Sequence, residues 1–269
     1  MRDWSAEGAE EREQCFAPIV RELLRVCPVT PANRNLQRVL VPGAGLARLV
    51  LEICCAGFAT QGNEFSYHML LVANFLLNAS LAPEAKLLYP FCDQASNCKS
   101  AEDRTRPVRI PDVSPASLLK GPENDAPGCA PVDFSMVAGE FLEVYKEQSS
   151  TWRAVATCFF LDTAPVALDY VETIYRLLEP GGAWVNLGPL LYHWVPTSEA
   201  ELHGHDDRFA QSVEFSWDEI KHAIQAVGFT IVNEEWRNCR YTANHRSMMK
   251  TDYECVFFTA VKPAQEKLP

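Results

Sequence analysis

Val39-Leu40-Val41-Pro42-Gly43-Ala44-Gly45-Leu46-Ala47-Arg48-Leu49 is the stretch whose reading decides the fold. Residues 38–41 (RVLV), apolar over 39–41, read as a short buried strand. Pro42 and two glycines break it, and an apolar pattern at helical spacing restarts over 46–55. Strand, glycine turn and helix in that order make a ligand-approach turn: missing side chains let the backbone come close, and the helix start offers free N–H groups. A lone Gly-x-Gly is weak, so the context counts. Glu64 stands 21 residues after Gly43, at the end of a second expected strand over 59–63. An acid there accepts both hydroxyls of a ribose.

Working outward, the chain keeps alternating strands and helices. Further strands are expected at 134–137, 154–160, 183–187, 230–236 and 253–261. Helices are expected at 9–26, from a Ser66 cap to about residue 77, at 164–178 and at 217–227. The helix after Ser66 carries Met69, Leu70, Val72, Ala73, Leu76 and Leu77 as its inner stripe. Alternation of this kind builds a parallel sheet with right-handed crossovers. No helix separates the last two strands, so they pair antiparallel. The expectation is a Rossmann-like α/β fold: a mainly parallel seven-stranded sheet, a C-terminal antiparallel hairpin and helices on both faces. Rossmann-like methyltransferases have that layout, whereas dinucleotide oxidoreductases usually lack the hairpin. Residues 1–35 read as a helical segment, 36–263 as the main domain and 264–269 as a tail. Residues 104–131 hold six prolines and two glycines and read as an insertion loop.

Composition removes whole classes. The 269 residues are 48% hydrophobic and 22% charged, with a net charge of -11, which excludes disordered and collagen-like chains. The acidic balance argues against general nucleic-acid binding and against docking on anionic membranes. No run of 18 apolar residues predicts a membrane span, and the charged residues 1–13 are not a secretory signal. Ten cysteines without a Cys-x-x-Cys pair read as reduced core thiols of a cytoplasmic or nuclear protein, not as a zinc site.

The third glycine position of the turn is Ala47. A ligand without a pyrophosphate is therefore expected. S-adenosylmethionine, a nucleoside joined to an amino acid, fits, and the switch-point rule places it outside the carboxyl ends of the first and fourth strands. Other candidates follow strand ends. Glu140 and Phe141, after the third, can read an adenine edge, although an acid there also caps helices. Asp162 follows the apolar run 157–161, and His193 lies among aromatics in Gly188-Pro189-Leu190-Leu191-Tyr192-His193-Trp194. Both leave the carboxyl edge of the sheet, where open α/β sheets do chemistry. Asp112 reads as a turn residue. His203 and His205 read as solvated, and no metal site is expected on them.

Taken together, the stretches 39–49, 62–78 (GNEFSYHMLLVANFLLN), 134–141 (FSMVAGEF), 157–164 (TCFFLDTA), 178–194 and 247–256 resemble the carnosine N-methyltransferases, also called the N2227-like family. Arg2-Asp3-Trp4-Ser5 and Pro111-Asp112-Val113 add to the likeness. The resemblance implies methyl transfer from S-adenosylmethionine to an imidazole nitrogen of carnosine, giving anserine. It also implies roles for residues. Gly43 and Gly45 line the cofactor, Glu64 binds its ribose, Glu140 and Phe141 hold its adenine, and Arg2 meets its methionine carboxylate. Asp162, His193, Tyr241 and Tyr253 face the dipeptide, with Asp162 and His193 catalytic. The family more often has Asp at position 140, and a run of three tyrosines where this chain has Thr251-Asp252-Tyr253. Members usually carry a longer helical region ahead of residue 1, so cofactor-covering residues and the contacts of a homodimer are expected outside this sequence. The rivals are a methyltransferase for a protein histidine or another small imidazole, favoured by an open groove near Thr251 and Asp252; a nicotinamide oxidoreductase; and a cofactor-binding scaffold without turnover.

Overall fold

The computed structural model describes residues 1–120, 130–198, 206–242 and 244–264. Nine strands are seen there: β1 (Arg38–Pro42), β2 (Ala59–Glu64), β3 (Lys86–Leu88), β4 (Val108–Ile110), β5 (Phe134–Ala138), β6 (Trp152–Cys158), β7 (Leu178–Gly188), β8 (Thr230–Arg240) and β9 (Asp252–Val261). Seven of them form one sheet in the order β5-β2-β1-β6-β7-β9-β8. Pairing is parallel from β5 to β7; β9 runs antiparallel to both β7 and β8. The expected mainly parallel seven-stranded sheet with its antiparallel hairpin is what the chain builds. Between β1 and its neighbours β2 and β6 lies the point where strand order reverses, so ligands are expected at that end.

Alternation along each strand feeds two cores. Val39 and Val41 of β1, with Ala154 and Ala156 of β6, pack with Phe16, Ile19 and Leu23 of helix α1 (Ala9–Val26) and Val50 and Ile53 of α2 (Arg48–Cys55). Leu40, Val155 and Trp184 point the other way. The helices on that face, in chain order after α3 (Tyr67–Asn78), α4 (Ala101–Thr105), α5 (Pro115–Leu119) and α6 (Phe141–Val144), are α7 (Ala167–Leu177) and, after α8 (Asp207–Gln211), α9 (Trp217–Val227). Helix α9 has a complete capping box, Ser216 with Glu219, and Gly228 stops it at φ +117°.

Several boundaries differ from the sequence reading. The expected strand 154–160 starts at Trp152 and ends at Cys158, because Phe159 turns into the left-handed region at φ +52° and leaves the sheet edge. Helix α2 begins at Arg48 rather than residue 46, since Ala47 itself has φ +64°. Ser66 does cap α3, but Met69 and Val72 of its expected stripe are exposed, as are Tyr67, Leu71 and Phe75. A helix apolar on nearly every side does not announce its inner face, and here that face is Ala73 and Leu76. Residues 104–131 are not one loop. They contain β4, which pairs with β3, and α5, whose Pro115 sits in the first turn, where a missing N–H costs nothing. Residues 121–129 of that segment, the tail from 265 and His203 and His205 lie outside the described residues.

Candidate active site

The carboxyl ends of β1, β2, β5 and β6 face a cavity of about 710 Å³, well inside the ~300–1,000 Å³ range of small-molecule sites. Its first wall is the glycine turn. Gly43 holds φ +65°, and a Cβ there would lie 2.5 Å from the Phe160 ring. Gly45 holds φ +55°, and a Cβ there would meet nothing within 4 Å. Residue 43 is therefore glycine for conformation and for space, residue 45 for conformation alone. Ala47 adopts the same left-handed region at φ +64°, so the missing third glycine leaves the turn's shape intact.

Glu64 closes this wall. One carboxylate oxygen accepts the Gly45 N–H at 2.7 Å and the other accepts the Ser66 N–H at 2.7 Å. The acid thus ties the end of β2 to the glycine turn, and each oxygen keeps a further lone pair for a ligand. Opposite, Glu140 accepts the Glu143 N–H at 2.9 Å and caps α6, so the capping reading holds, while its side chain also lines the cavity. Beneath it, Phe141 is buried, with its ring edge-on to Phe160 and Tyr170, and Phe160 stacks on Tyr170 at 4.6 Å. These rings form an apolar floor suited to a flat base. The far rim is His193, Trp194 and Arg208, with the Arg208 guanidinium 3.9 Å from the Trp194 ring centroid.

The expected catalytic pair meets behind that rim. Asp162 is buried and accepts the Leu191 N–H at 3.0 Å, while its backbone carbonyl accepts the His193 N–H at 3.0 Å. Burial pushes the Asp162 carboxyl above its ordinary pKa; the Leu191 N–H and the nearby His193 oppose that. Asp162 does not line the cavity itself, whereas the His193 side chain does and is exposed.

Arg2, Tyr241 and Tyr253 gather around Phe159. The Phe159 ring lies 4.8 Å from Tyr241 and 6.0 Å from Tyr253, and the Arg2 guanidinium lies 5.3 Å from the Tyr241 ring. Burial works against the charge of Arg2, yet Asp3, bonded to it at 2.9 Å, holds its pKa above the ordinary value. Phe159 also lines the cavity, so it joins the two groups. Reading the sequence missed Phe159, Tyr170, Trp194 and Arg208. Phe159 lies inside the strand expected over 154–160 and carried no separate signal. A second, shallower groove of about 560 Å³ lies beyond Tyr241, lined by Asp93, Gln94, Asn97, Asn244 and Thr251. Among the described residues no cluster of three or more His, Cys, Asp or Glu is arranged to hold a metal, and no helix is long and apolar enough to cross a membrane.

With this geometry in place, the chain can be set beside known proteins. The solved structures it resembles include an S-adenosylmethionine-dependent methyltransferase of Methanosarcina mazei, at 12% identity and TM-score 0.50 over 86% of this chain and 95% of that one. A Haloferax volcanii methyltransferase complex with the Trm112 activator matches at 13% identity and TM-score 0.51, over 96% and 93%. At such identities the likeness concerns the fold, which is that of the Rossmann-like class I methyltransferases. Sequence relatives are much nearer. The carnosine N-methyltransferase of Rattus norvegicus is 43% identical over 98% of this chain and that of Schizosaccharomyces pombe 40% over 94%. The chain spans 61% and 65% of the lengths of those two proteins. The family model described as carnosine N-methyltransferase matches residues 1–264. From that match and these relatives, the chain belongs to the carnosine N-methyltransferase family.

Proposed function

We propose that this chain transfers a methyl group from S-adenosylmethionine to a ring nitrogen of an imidazole dipeptide, carnosine, to give anserine. Residues 36–263 form the transfer unit and residues 1–35 the segment laid across it. The carrying observation is that Phe159 stands in the wall of a cavity built on an acid-anchored glycine turn and an aromatic floor and also packs on Tyr241 and Tyr253, with Arg2 over the Tyr241 ring. The residues fit the methyl donor. Glu64 offers its remaining lone pairs to a ribose diol, Phe141 and Glu140 suit an adenine, and Arg2 suits a carboxylate. Gly43, in the cavity wall, lets the backbone come close, and Gly45 gives the turn the conformation that meets Glu64. When bound, S-adenosylmethionine supplies a methyl already activated on a sulfonium.

The chain's own residues then have to present a neutral imidazole. The ring of a free imidazole has a pKa of about 6.5, so a large neutral fraction exists at pH 7. Asp162 stands behind the cavity wall next to His193 rather than in it; in this reading it is the acid that accepts the N–H of the non-attacking nitrogen once the ring is seated past His193, which fixes the tautomer and steadies the growing positive charge. His193, held by its backbone to Asp162, orients the ring or takes the proton on. Tyr241 and Tyr253 wall the dipeptide. The setting is a cytoplasmic or nuclear one, and a homodimer is the assembly expected.

The groove beyond Tyr241 favours a second reading. Its mouth carries exposed Tyr241 and Met249 and polar Gln94, Asn97 and Thr251, and it has room for a peptide longer than a dipeptide. The test is incubation with labelled S-adenosylmethionine and either carnosine or a histidine-containing peptide. Carnosine methylated on an imidazole nitrogen supports the first reading. Faster transfer to the peptide replaces it with the second, and no transfer to either refutes both.

A further inference from the structure

Asp112 is the centre of a buried ionic group that nothing in its local sequence foretells. The acid follows β4, where its local sequence reads as a turn. Instead one carboxylate oxygen accepts from Arg12 of α1 at 2.6 Å and the other from Arg48 of α2 at 2.6 Å. The three side chains are 8%, 7% and 10% exposed for Arg12, Arg48 and Asp112. Glu52 adds a second acid, 2.9 Å from Arg48 and 3.9 Å from Arg12. Arg12, Arg48 and Asp112 thus share a space with little water, and Glu52, 29% exposed, balances the second cation from its edge. A buried charge left without its partner is strongly unfavourable, and burial with the neighbouring Arg48 already lowers the pKa of Arg12.

What this group grips is the chain around Arg2. Arg12 Nη1 donates to the carbonyls of Arg2 at 2.5 Å and Ser5 at 2.8 Å. Arg48 Nη1 donates to the Asp3 carbonyl at 2.9 Å. The Asp112 N–H donates to the Trp4 carbonyl at 3.1 Å. Four consecutive carbonyls, 2 to 5, are therefore held by three residues. The Trp4 indole N–H, in turn, donates to the carbonyl of Leu46 in the glycine turn at 2.9 Å. Arg2 stands on this platform and projects its guanidinium to Tyr241 and Phe16.

We infer that Asp112, through Arg12 and Arg48, is a positioning residue that sets the place of Arg2 and hence the affinity for the methyl donor. This rests on the proposed reading of Arg2 as the group that meets the donor's carboxylate. The group links the first residues, the glycine turn and the segment after β4, so the donor site is completed by three stretches far apart in sequence. Asp112 touches no ligand in this account; it acts by keeping Arg2 aimed.

The test is a double-mutant cycle read by calorimetric titration with S-adenosylhomocysteine. Arg2→Ala weakens binding by about 10- to 100-fold, the loss of a charge-assisted hydrogen bond. Asp112→Asn weakens it by a similar factor. The combined variant is no weaker than the worse single one, because Asp112 acts through Arg2. In turnover, Asp112→Asn raises KM for the donor and leaves kcat nearly in place. Arg12→Lys keeps the charge beside Asp112 but loses the second nitrogen, Nη1, that holds carbonyls 2 and 5, and it gives the same weakening if Asp112→Asn does not fold. Additive losses in the cycle, or an Asp112→Asn variant and an Arg12→Lys variant that melt early but bind normally when folded, overturn the inference while leaving the reading of Arg2 standing. Normal binding by Arg2→Ala overturns the reading itself, and the inference with it.

Discussion

Asp162→Asn separates chemistry from stability in opposite directions. Asp162 is 2% exposed and accepts one backbone N–H, from Leu191 at 3.0 Å. Burial raises its pKa, so the folded state binds the Asp162 proton more tightly than the unfolded chain does. The sign follows. Ionised Asp162 costs stability at every pH above its folded pKa, and the cost fades as pH falls through that value. Asparagine has the same shape, keeps an acceptor for Leu191 and removes the charge. The variant therefore melts higher than the parent at pH 7, and the difference shrinks in acid. Its turnover moves the other way, because a neutral amide cannot steady the imidazolium. The expected loss in kcat is about 10²–10⁴-fold, or roughly 3–5 kcal/mol of barrier. Both are read from one preparation, by thermal melts from pH 7 down to about pH 4, the ordinary aspartate range, and by labelled-methyl transfer to carnosine. Near-parental kcat removes Asp162 from the mechanism. A lower Tm at pH 7 refutes the argument that its buried charge is held at a cost.

Further outcomes follow from single contacts. Gly43→Ala combines left-handed strain with overlap on Phe160 and costs about 2–5 kcal/mol, whereas Gly45→Ala carries the strain alone, about 1–2 kcal/mol, so denaturant melts rank the two. Glu64→Gln leaves one oxygen for two N–H donors, and calorimetry finds S-adenosylhomocysteine affinity about 10- to 100-fold weaker. Thr157→Val strands the buried Trp184 N–H, which donates to the Thr157 hydroxyl at 2.8 Å, and a urea melt shows a loss of about 1–3 kcal/mol. Ser216→Ala breaks the capping box of α9 and costs about 1 kcal/mol by the same measurement.

The fold was legible where period and punctuation coincide. Residues 38–64 declare a strand, a turn, a helix and a second strand by apolar spacing and two glycines, and the acid at the end of the second strand is what anchors the turn. The closing hairpin was legible because no helical pattern lies between its strands. Three features had no local trace. Phe159 leaves the sheet by its backbone conformation, and an apolar pair after an apolar strand looks like more strand. The inner face of α3 is hidden by apolar residues on its other sides. Asp112 lies 100 residues from Arg12 and 64 from Arg48, a pairing that only the completed sheet brings together. A proline-rich neighbourhood then suggests a surface turn where a buried ion pair stands. Tyr241 and Tyr253 were reached through the family resemblance alone, and their link to the cavity runs through Phe159.

The central claim is that one site holds the methyl donor and the imidazole dipeptide together. Calorimetric titration of the purified chain with S-adenosylhomocysteine, with and without saturating carnosine, tests it most directly. The expected result is binding of the donor product at one site per chain, strengthened when carnosine is present. Absence of binding, or an affinity that carnosine leaves unchanged, would contradict it.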